Sequence, residues 1–145
     1  MKDDFLMTLA PVLVSSFLLA LSTPCLNAQI TNAIQAHIDH SFVIGNTTLP
    51  PGEYTFRMMQ NSELSIMSAT SENDKTDVDF IVREAIDNHT PAHTELTFRK
   101  YGNTEFLNKI FENGSKIGAE VTETSREESR LVKDGQQPTL HTEEK

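Results

Sequence analysis

The sequence contains no tryptophan and a single cysteine, Cys25, among its 145 residues. Cys25 lies in an N-terminal segment that we expect to be removed on export. The mature chain would then contain no disulfide, no thiolate nucleophile and no cysteine metal ligand. Its stability is expected to come from side-chain packing alone.

Basic residues are also scarce. Twelve lysines and arginines stand against 21 aspartates and glutamates, which gives a formal net charge of −9 at pH 7. Such a chain is repelled by nucleic-acid phosphates and by anionic membrane surfaces. We therefore expect a well-solvated surface and no nucleic-acid partner.

One long apolar run exists, from Phe5 to Leu21, and it is interrupted only by a threonine, a proline and two serines. It has the length of a signal-peptide core and is short for a membrane span. Leu26-Asn27-Ala28 offers a small residue before a cleavage point, which predicts a mature chain that begins at Gln29. We expect a secreted or periplasmic protein with no stable membrane span after cleavage. Because Asp3 and Asp4 offset the positive flank, an uncleaved N-terminal helix that anchors the protein is the alternative.

The remaining length is enough for one domain with one core. The predicted organisation is a signal peptide over residues 1–28, a β-domain over 29–118, and a charged C-terminal helix and tail over 119–145. Apolar and polar residues alternate with a period of two, which is typical of half-buried strands. The alternating runs are Ile34–Ile44, Tyr54–Met58, Leu64–Met67, Val78–Val82 and the two flanks of Gly102-Asn103.

These runs predict an all-β fold: a small antiparallel barrel or sandwich of about six strands, with a short C-terminal helix and a disordered tail. Thr124 and Glu127 resemble a capping box, so Ser125–Lys133 is expected to form two helical turns. Asp134–Lys145 has little to bury and is expected to be disordered.

Gly102-Asn103 is a pair that fits the positive φ required by a two-residue hairpin turn. The pairs predicted from this turn are Phe98 with Leu107, Arg99 with Phe106 and Lys100 with Glu105. Tyr101, Phe106 and Ile110 then lie on the face opposite to Phe98, so both faces of the hairpin are apolar. The second face is covered either by a bulge or helix of the same chain, or by a partner subunit or an apolar ligand. Tyr101, Phe106 and Ile110 are therefore the candidate interface.

Histidines are the first candidates for metal ligands or bases. His37 and His40 are three residues apart, and on a strand this spacing sends them to opposite faces, so they do not form a joint metal site. His89 and His93 flank a proline in a loop near Asp87. Ordinary loop histidines are the expectation there, with cation binding as the alternative.

The acidic stretch Glu72–Asp79 resembles a calcium loop only superficially. It lacks the turn glycine, and Ala85 and Asn88 stand where the glutamate that closes a calcium loop would be. A solvated loop is expected, with weak cation binding as the alternative. Ser115, within Gly114–Gly118, matches neither a nucleophile elbow nor a phosphate loop. We therefore predict no enzymatic activity and no catalytic, cofactor-binding or metal-binding residues.

Two segments, Phe42–Tyr54 and Leu96–Leu107, carry a resemblance. They match the patterns G-N-x-T-L-P-x-G-x-Y and F-x-x-Y-G-x-x-x-F-L, and together they resemble an uncharacterised family of small exported bacterial proteins. The resemblance implies a compact antiparallel β-barrel or sandwich with a trailing helix, and it implies no catalytic residue.

The expected function is that of a structural or self-associating protein of the cell envelope or extracellular space. Its partner would be a second copy or another envelope protein. The alternative is a β-barrel that binds a small apolar or glycan ligand in an interior lined by Phe42, Phe56 and Phe98.

Overall fold

The computed structural model describes residues 33–59, 64–73 and 75–145. The predicted signal peptide and its cleavage point lie outside these residues, as does one residue of the acidic stretch, Asp74. Within the described residues there are ten strands and one helix. They are β1 (Ile34–Ile38), β2 (Phe42–Ile44), β3 (Thr47–Leu49), β4 (Gly52–Met58), β5 (Ile66–Ser71), β6 (Asp77–Ile86), β7 (Glu95–Tyr101), β8 (Thr104–Phe111), β9 (Ile117–Val121), α1 (Arg126–Lys133) and β10 (Thr139–Glu144).

The strands form one sheet, which is not closed into a barrel in the part of the chain that is described. From one edge its order is β1, β4, β5, β6, β9 and β8. β7 pairs with β8, and β10 pairs with β7 as the other edge. β2 joins β8 through the one parallel pairing, at Val43 and Phe106, and β3 pairs with β2. The all-β prediction with a C-terminal helix is confirmed, but ten strands replace the expected six.

The core lies on one side of this curled sheet. In β1 the buried residues Ile34, Ala36 and Ile38 alternate with exposed neighbours, because successive side chains of a strand point to opposite faces. The aromatic side chains that were expected to line a ligand cavity are packed into this core and have 0% exposure. They are Phe42, Phe56 and Phe98.

The alternating run Ile34–Ile44 is two strands rather than one. β1 pairs with β4, whereas β2 pairs with β3 and β8, so the chain changes partners between them. The break falls at residues 39–41 and contains His40. Periodicity does not reveal such a break, because both strands contribute to the same core.

The hairpin at Gly102-Asn103 has the predicted register, with its three predicted pairs confirmed. A bulge then shifts the register, since Thr97 pairs with Lys109 while Phe98 pairs with Leu107. The extra residue, Asn108, changes the alternation along β8. As a result Ile110 faces the main core together with Leu107.

α1 begins one residue later than the capping-box pattern suggested. Ser125 is its N-cap, and the Ser125 hydroxyl accepts a hydrogen bond from the backbone N–H of Glu128 at 2.9 Å. The domain boundary predicted after Gly118 falls inside β9, which spans Ile117–Val121.

The prediction of a disordered C-terminal tail is wrong. Residues Thr139–Glu144 pair with residues 95–100 of β7 as strand β10. The tail is polar and buries little, so its strand structure comes from main-chain pairing with an existing edge and not from its own hydrophobicity. Among the described residues, no helix combines the length and the apolar character needed to cross a membrane.

Candidate functional site

Two histidines and two glutamates meet at the β10 edge of the sheet, and we call them the histidine–carboxylate cluster. Its members are His40, Glu105, His141 and Glu143. His141 and Glu143 are two residues apart on β10 and therefore share a face. Their register partners on β7 are core residues, which places this face on the core side of the sheet. His40 comes from the break between β1 and β2, and Glu105 is the second residue of β8.

Glu105 lies at the centre of the cluster. Its Oε2 is 2.7 Å from His141 Nδ1 and 3.0 Å from His40 Nε2, and its Oε1 accepts a hydrogen bond from Lys100 Nζ at 2.7 Å. The residue is 4% exposed. Burial by itself raises the pKa of Glu105, but hydrogen bonds from His141 and Lys100 and the charge of His40 outweigh it and lower the pKa below its ordinary value.

His40 connects the two carboxylates. Its Nδ1 is 3.0 Å from Glu143 Oε1 and 3.1 Å from Asp39 Oδ1. Its ring packs edge-on against Phe98, with centroids 5.0 Å apart, and lies 5.5 Å from the ring of His141. The Phe98 ring holds the His40 imidazole in place, and both imidazole nitrogens face carboxylates.

Two buried polar atoms of the cluster have no hydrogen bond. His40 Nε2 faces Glu105 Oε2 at 3.0 Å, and Glu143 Oε2 is 2.8 Å from Lys145 Nζ, but neither contact has hydrogen-bond geometry. Buried polar atoms are rarely left in this condition. These two atoms are therefore held by ion-pair contacts alone.

The candidate interface residues are buried within the chain. Tyr101 and Phe106 are 6% and 2% exposed, and they form a second apolar cluster with Val43 that Leu131 of α1 covers. Ile110, at 0% exposure, belongs to the main core. The sequence left open what covers the second face of the hairpin. The structure contains both of the elements expected from the same chain, the bulge in β8 and the helix α1.

A polar network lies beside this second cluster. Arg99 donates to both carboxylate oxygens of Glu128, and its Nη1 donates to Asn108 Oδ1 at 2.7 Å. Burial raises the pKa of Tyr101, and the nearby charge of Glu128 raises it further. The network attaches α1 to β7 and β8 and is structural.

The other sequence candidates lie apart from the histidine–carboxylate cluster. His37 is an exposed β1 residue 2.7 Å from Glu53 Oε1. His89 lies between Asp87 Oδ1, at 2.6 Å, and Glu95 Oε1, at 3.3 Å. His93 is exposed in the same loop.

The acidic stretch is only partly a loop, because Asp77 and Asp79 belong to β6. Asp77 accepts a hydrogen bond from Thr70, and Glu72 accepts one from Thr55. Within the described ranges, the group of three metal-ligating side chains with closely spaced ligand atoms is His40, His141 and Glu143.

Sequence reasoning found His40 but missed the residues around it. His141 and Glu143 were assigned to a disordered tail, and Glu105 was treated only as a pairing partner of Lys100. The available signal was the spacing His141-x-Glu143 in a Thr-rich segment, which places both side chains on one face if the segment is a strand. Comparison with known proteins finds no matching family model, curated protein or solved structure.

Proposed function

We propose that this protein is an exported, non-enzymatic β-domain of the cell envelope or extracellular space that self-associates through the outer edge of β10. The observation that carries the proposal is the direction of the β10 main chain. Leu140, Thr142 and Glu144 turn their backbone N–H and C=O groups away from β7, at the edge of an open sheet.

This direction follows from the hydrogen bonds at the end of the strand. Lys145 and Thr94 exchange two backbone hydrogen bonds, of 2.8 and 3.2 Å, so they are a hydrogen-bonded pair. Such pairs alternate along an antiparallel ladder with pairs that are not hydrogen-bonded. The register of β10 with β7 therefore makes the residues at 139, 141 and 143 bond to β7 and leaves 140, 142 and 144 facing outward. Among the described residues no strand pairs with these outward groups, and such a row is a template for another strand.

A second copy of the chain pairs with this edge more favourably in one register than in the two adjacent registers. If two β10 strands pair antiparallel about Thr142, His141 lies opposite Glu143 of the second copy, and Leu140 lies opposite its Glu144. A glutamate can pair with a histidine directly across the strands, whereas like charges in that position are destabilising. Shifting the register either way places His141 opposite His141, or Glu143 opposite Glu143. The favoured register has two-fold symmetry, which is the commonest symmetry of homodimers.

The solution mass tests this proposal, measured by light scattering after size exclusion over a range of protein concentrations. We expect a dimer that dissociates on dilution. Thr142→Pro removes an outward N–H without breaking the β7 ladder and should give a monomer with an unchanged circular dichroism spectrum. Gln137→Pro, in the exposed loop before β10, is the matched control and should remain dimeric. A monomeric wild-type protein, or a dimeric Thr142→Pro variant, would overturn the edge-pairing proposal.

Export is the second part of the proposal and is supported by the apolar run Phe5–Leu21. Intact-mass analysis of protein recovered from the periplasm or medium is expected to show a chain that begins at Gln29. Recovery of the full-length mass in the membrane fraction would instead support the uncleaved anchor.

The alternative function, binding of a small apolar or glycan ligand, was based on the barrel interior. Phe42, Phe56 and Phe98 fill that space with their own side chains, so our proposal places binding at the outer edge of the sheet.

A further inference from the structure

We propose that His40, His141 and Glu143 bind a divalent transition-metal ion of the zinc, copper or nickel type. The site is built from the residues of one chain and so requires neither self-association nor export, although His141 and Glu143 also belong to the β10 register proposed above. Two imidazoles and one carboxylate are the donor set of many zinc sites that keep a further position for water. Hard cations such as Ca²⁺ and Mg²⁺ instead require mainly oxygen ligands, so they are the wrong class for these residues.

The spacing of the three side chains suits such an ion. One ligand atom from each lies within 4.8 Å of the others. Around a tetrahedral zinc ion with ligands at about 2.0–2.1 Å, neighbouring ligand atoms are roughly 3.4 Å apart. His40 Nδ1 and Glu143 Oε1 are 3.0 Å apart, close to this value. The three groups therefore lie near enough for one ion to contact all of them after small side-chain rotations.

Glu105 orients a histidine of the site without binding the ion itself. It holds His141 through Nδ1, so Nε2 is the nitrogen that His141 has left for a metal. Metal-binding histidines usually give their other ring nitrogen to a carboxylate in this way, which fixes the ring and increases its basicity. Lys100 contacts the opposite oxygen of Glu105 and keeps this carboxylate turned toward the histidines. Glu105 is thus a positioning residue and not a ligand.

The polar atoms without hydrogen bonds fit the same assignment. Glu143 has a side chain that is 10% exposed, and its Oε2 makes no hydrogen bond, although Lys145 Nζ is 2.8 Å away. His40 Nε2 faces Glu105 Oε2 at 3.0 Å and not the three-ligand site. Glu105 therefore occupies the Nε2 side of His40 and leaves Nδ1, the nitrogen 3.0 Å from Glu143 Oε1, for the metal.

Metal binding would also connect distant parts of the chain. His40 follows β1, at one edge of the open sheet, and His141 and Glu143 belong to β10, at the other edge. An ion shared by these residues ties β10 to the β1–β2 connection. Because the unfolded chain does not hold the three ligands together, the ion should stabilise the folded state by an amount that rises with the ratio of the free ion concentration to Kd.

The test is titration of the metal-stripped protein with ZnCl₂ by isothermal calorimetry, together with thermal unfolding with and without the ion. We expect one ion per chain, a higher unfolding temperature with Zn²⁺, and no comparable effect of CaCl₂. His141→Ala and Glu143→Gln lie on an edge strand, so they should fold normally and bind at least tenfold more weakly. His37→Ala and His89→Ala remove exposed histidines elsewhere and are the matched controls, for which the affinity should be unchanged.

Glu105→Gln tests the positioning role. It should weaken Zn²⁺ binding about 10–100-fold and alter the visible spectrum of the Co²⁺-loaded protein, a readout that a purely structural role would not change. Thr142→Pro should bind Zn²⁺ as the wild type does, so a failure of self-association does not affect this test. Absence of Zn²⁺ binding, binding that survives both His141→Ala and Glu143→Gln, or equal binding of Ca²⁺ would overturn the proposal.

Discussion

Arg99 of β7 and Glu128 of α1 form a bidentate ion pair, in which Arg99 Nε donates to Glu128 Oε1 at 2.6 Å and Arg99 Nη2 donates to Glu128 Oε2 at 3.2 Å. The Glu128 side chain is 4% exposed, and that of Arg99 is 22% exposed. Removal of one member of a buried pair leaves the other charge unpaired in a low-dielectric site, which typically costs about 3–5 kcal/mol. We therefore predict that Arg99→Gln lowers the free energy of unfolding, measured with urea, by about 3 kcal/mol.

The control for this prediction is the double variant Arg99→Met, Glu128→Leu, which removes both charges and keeps similar volumes. It should recover most of the lost stability, because replacing a buried ion pair by apolar side chains is often close to neutral. If the double variant is as unstable as Arg99→Gln, the loss comes from packing of α1 and not from an unpaired carboxylate.

Phe106 gives the second prediction. It packs against Tyr101 with ring centroids 5.7 Å apart, under the cover of α1. Phe106→Ala should lower the free energy of unfolding by about 3–5 kcal/mol. Phe106→Glu should unfold the protein, because it places a charge in this dry cluster. Circular dichroism and solution mass together check this expectation. A folded Phe106→Glu variant with altered association would instead support the interface predicted from the sequence.

Features that depend on neighbouring residues were predictable from the sequence. The Gly102-Asn103 turn fixes the register of its hairpin locally, and Gly102 has the expected positive φ, +60°. α1 was found as well, although its cap lies at Ser125 rather than Thr124, since adjacent hydroxyl residues offer the same chemistry.

Features that depend on distant pairing were not predictable in the same way. β10 exists because β7 offers it an edge, and its own polar sequence gives no burial signal. The histidine–carboxylate cluster was missed for the same reason, because its residues at 40, 105, 141 and 143 meet only when β10 is in place. His40 was considered only beside His37, as a residue of one unbroken strand, whereas it lies in the break between β1 and β2.

Gly118 provides the third prediction. It lies where β9 pairs with Phe111 of β8 and Ala85 of β6. A Cβ atom at this position would be 2.4 Å from the carbonyl oxygen of Ile110 and 2.5 Å from Cδ1 of Phe111. Gly118→Ala should therefore force β8 and β9 apart and cost about 1–3 kcal/mol of stability, measured by urea unfolding.

Gly102 is the matched comparison for Gly118. A Cβ atom added at Gly102 would meet no atom within 4 Å, so a substitution there would lower stability only through the positive φ. Gly102→Asn should cost no more stability than Gly102→Ala, because the cost there is the strain of any side chain at positive φ and not a clash. Gly118→Asn should be worse than Gly118→Ala, because the larger side chain increases the clash. Equal tolerance of asparagine at both positions would contradict the steric explanation.

The last prediction concerns pH and the exposed loop before β7. Hydrogen bonds from His89 to Glu95, and then to Asp87, raise the pKa of His89 above its ordinary 6.5. Glu144 of β10 is the register partner of Glu95 and adds negative charge on the same side. A pKa raised by folding means that the contribution of His89 to stability is fully present below pH 6.5 and is lost as pH rises through the folded value.

His89→Gln should thus lower the free energy of unfolding below pH 6.5, leave it unchanged at about pH 8.5, and flatten its slope between these values. Urea unfolding across this range measures the slope, and Glu95→Gln, which removes the main partner, should reduce the slope as well. A full wild-type slope in His89→Gln would show that another group is responsible.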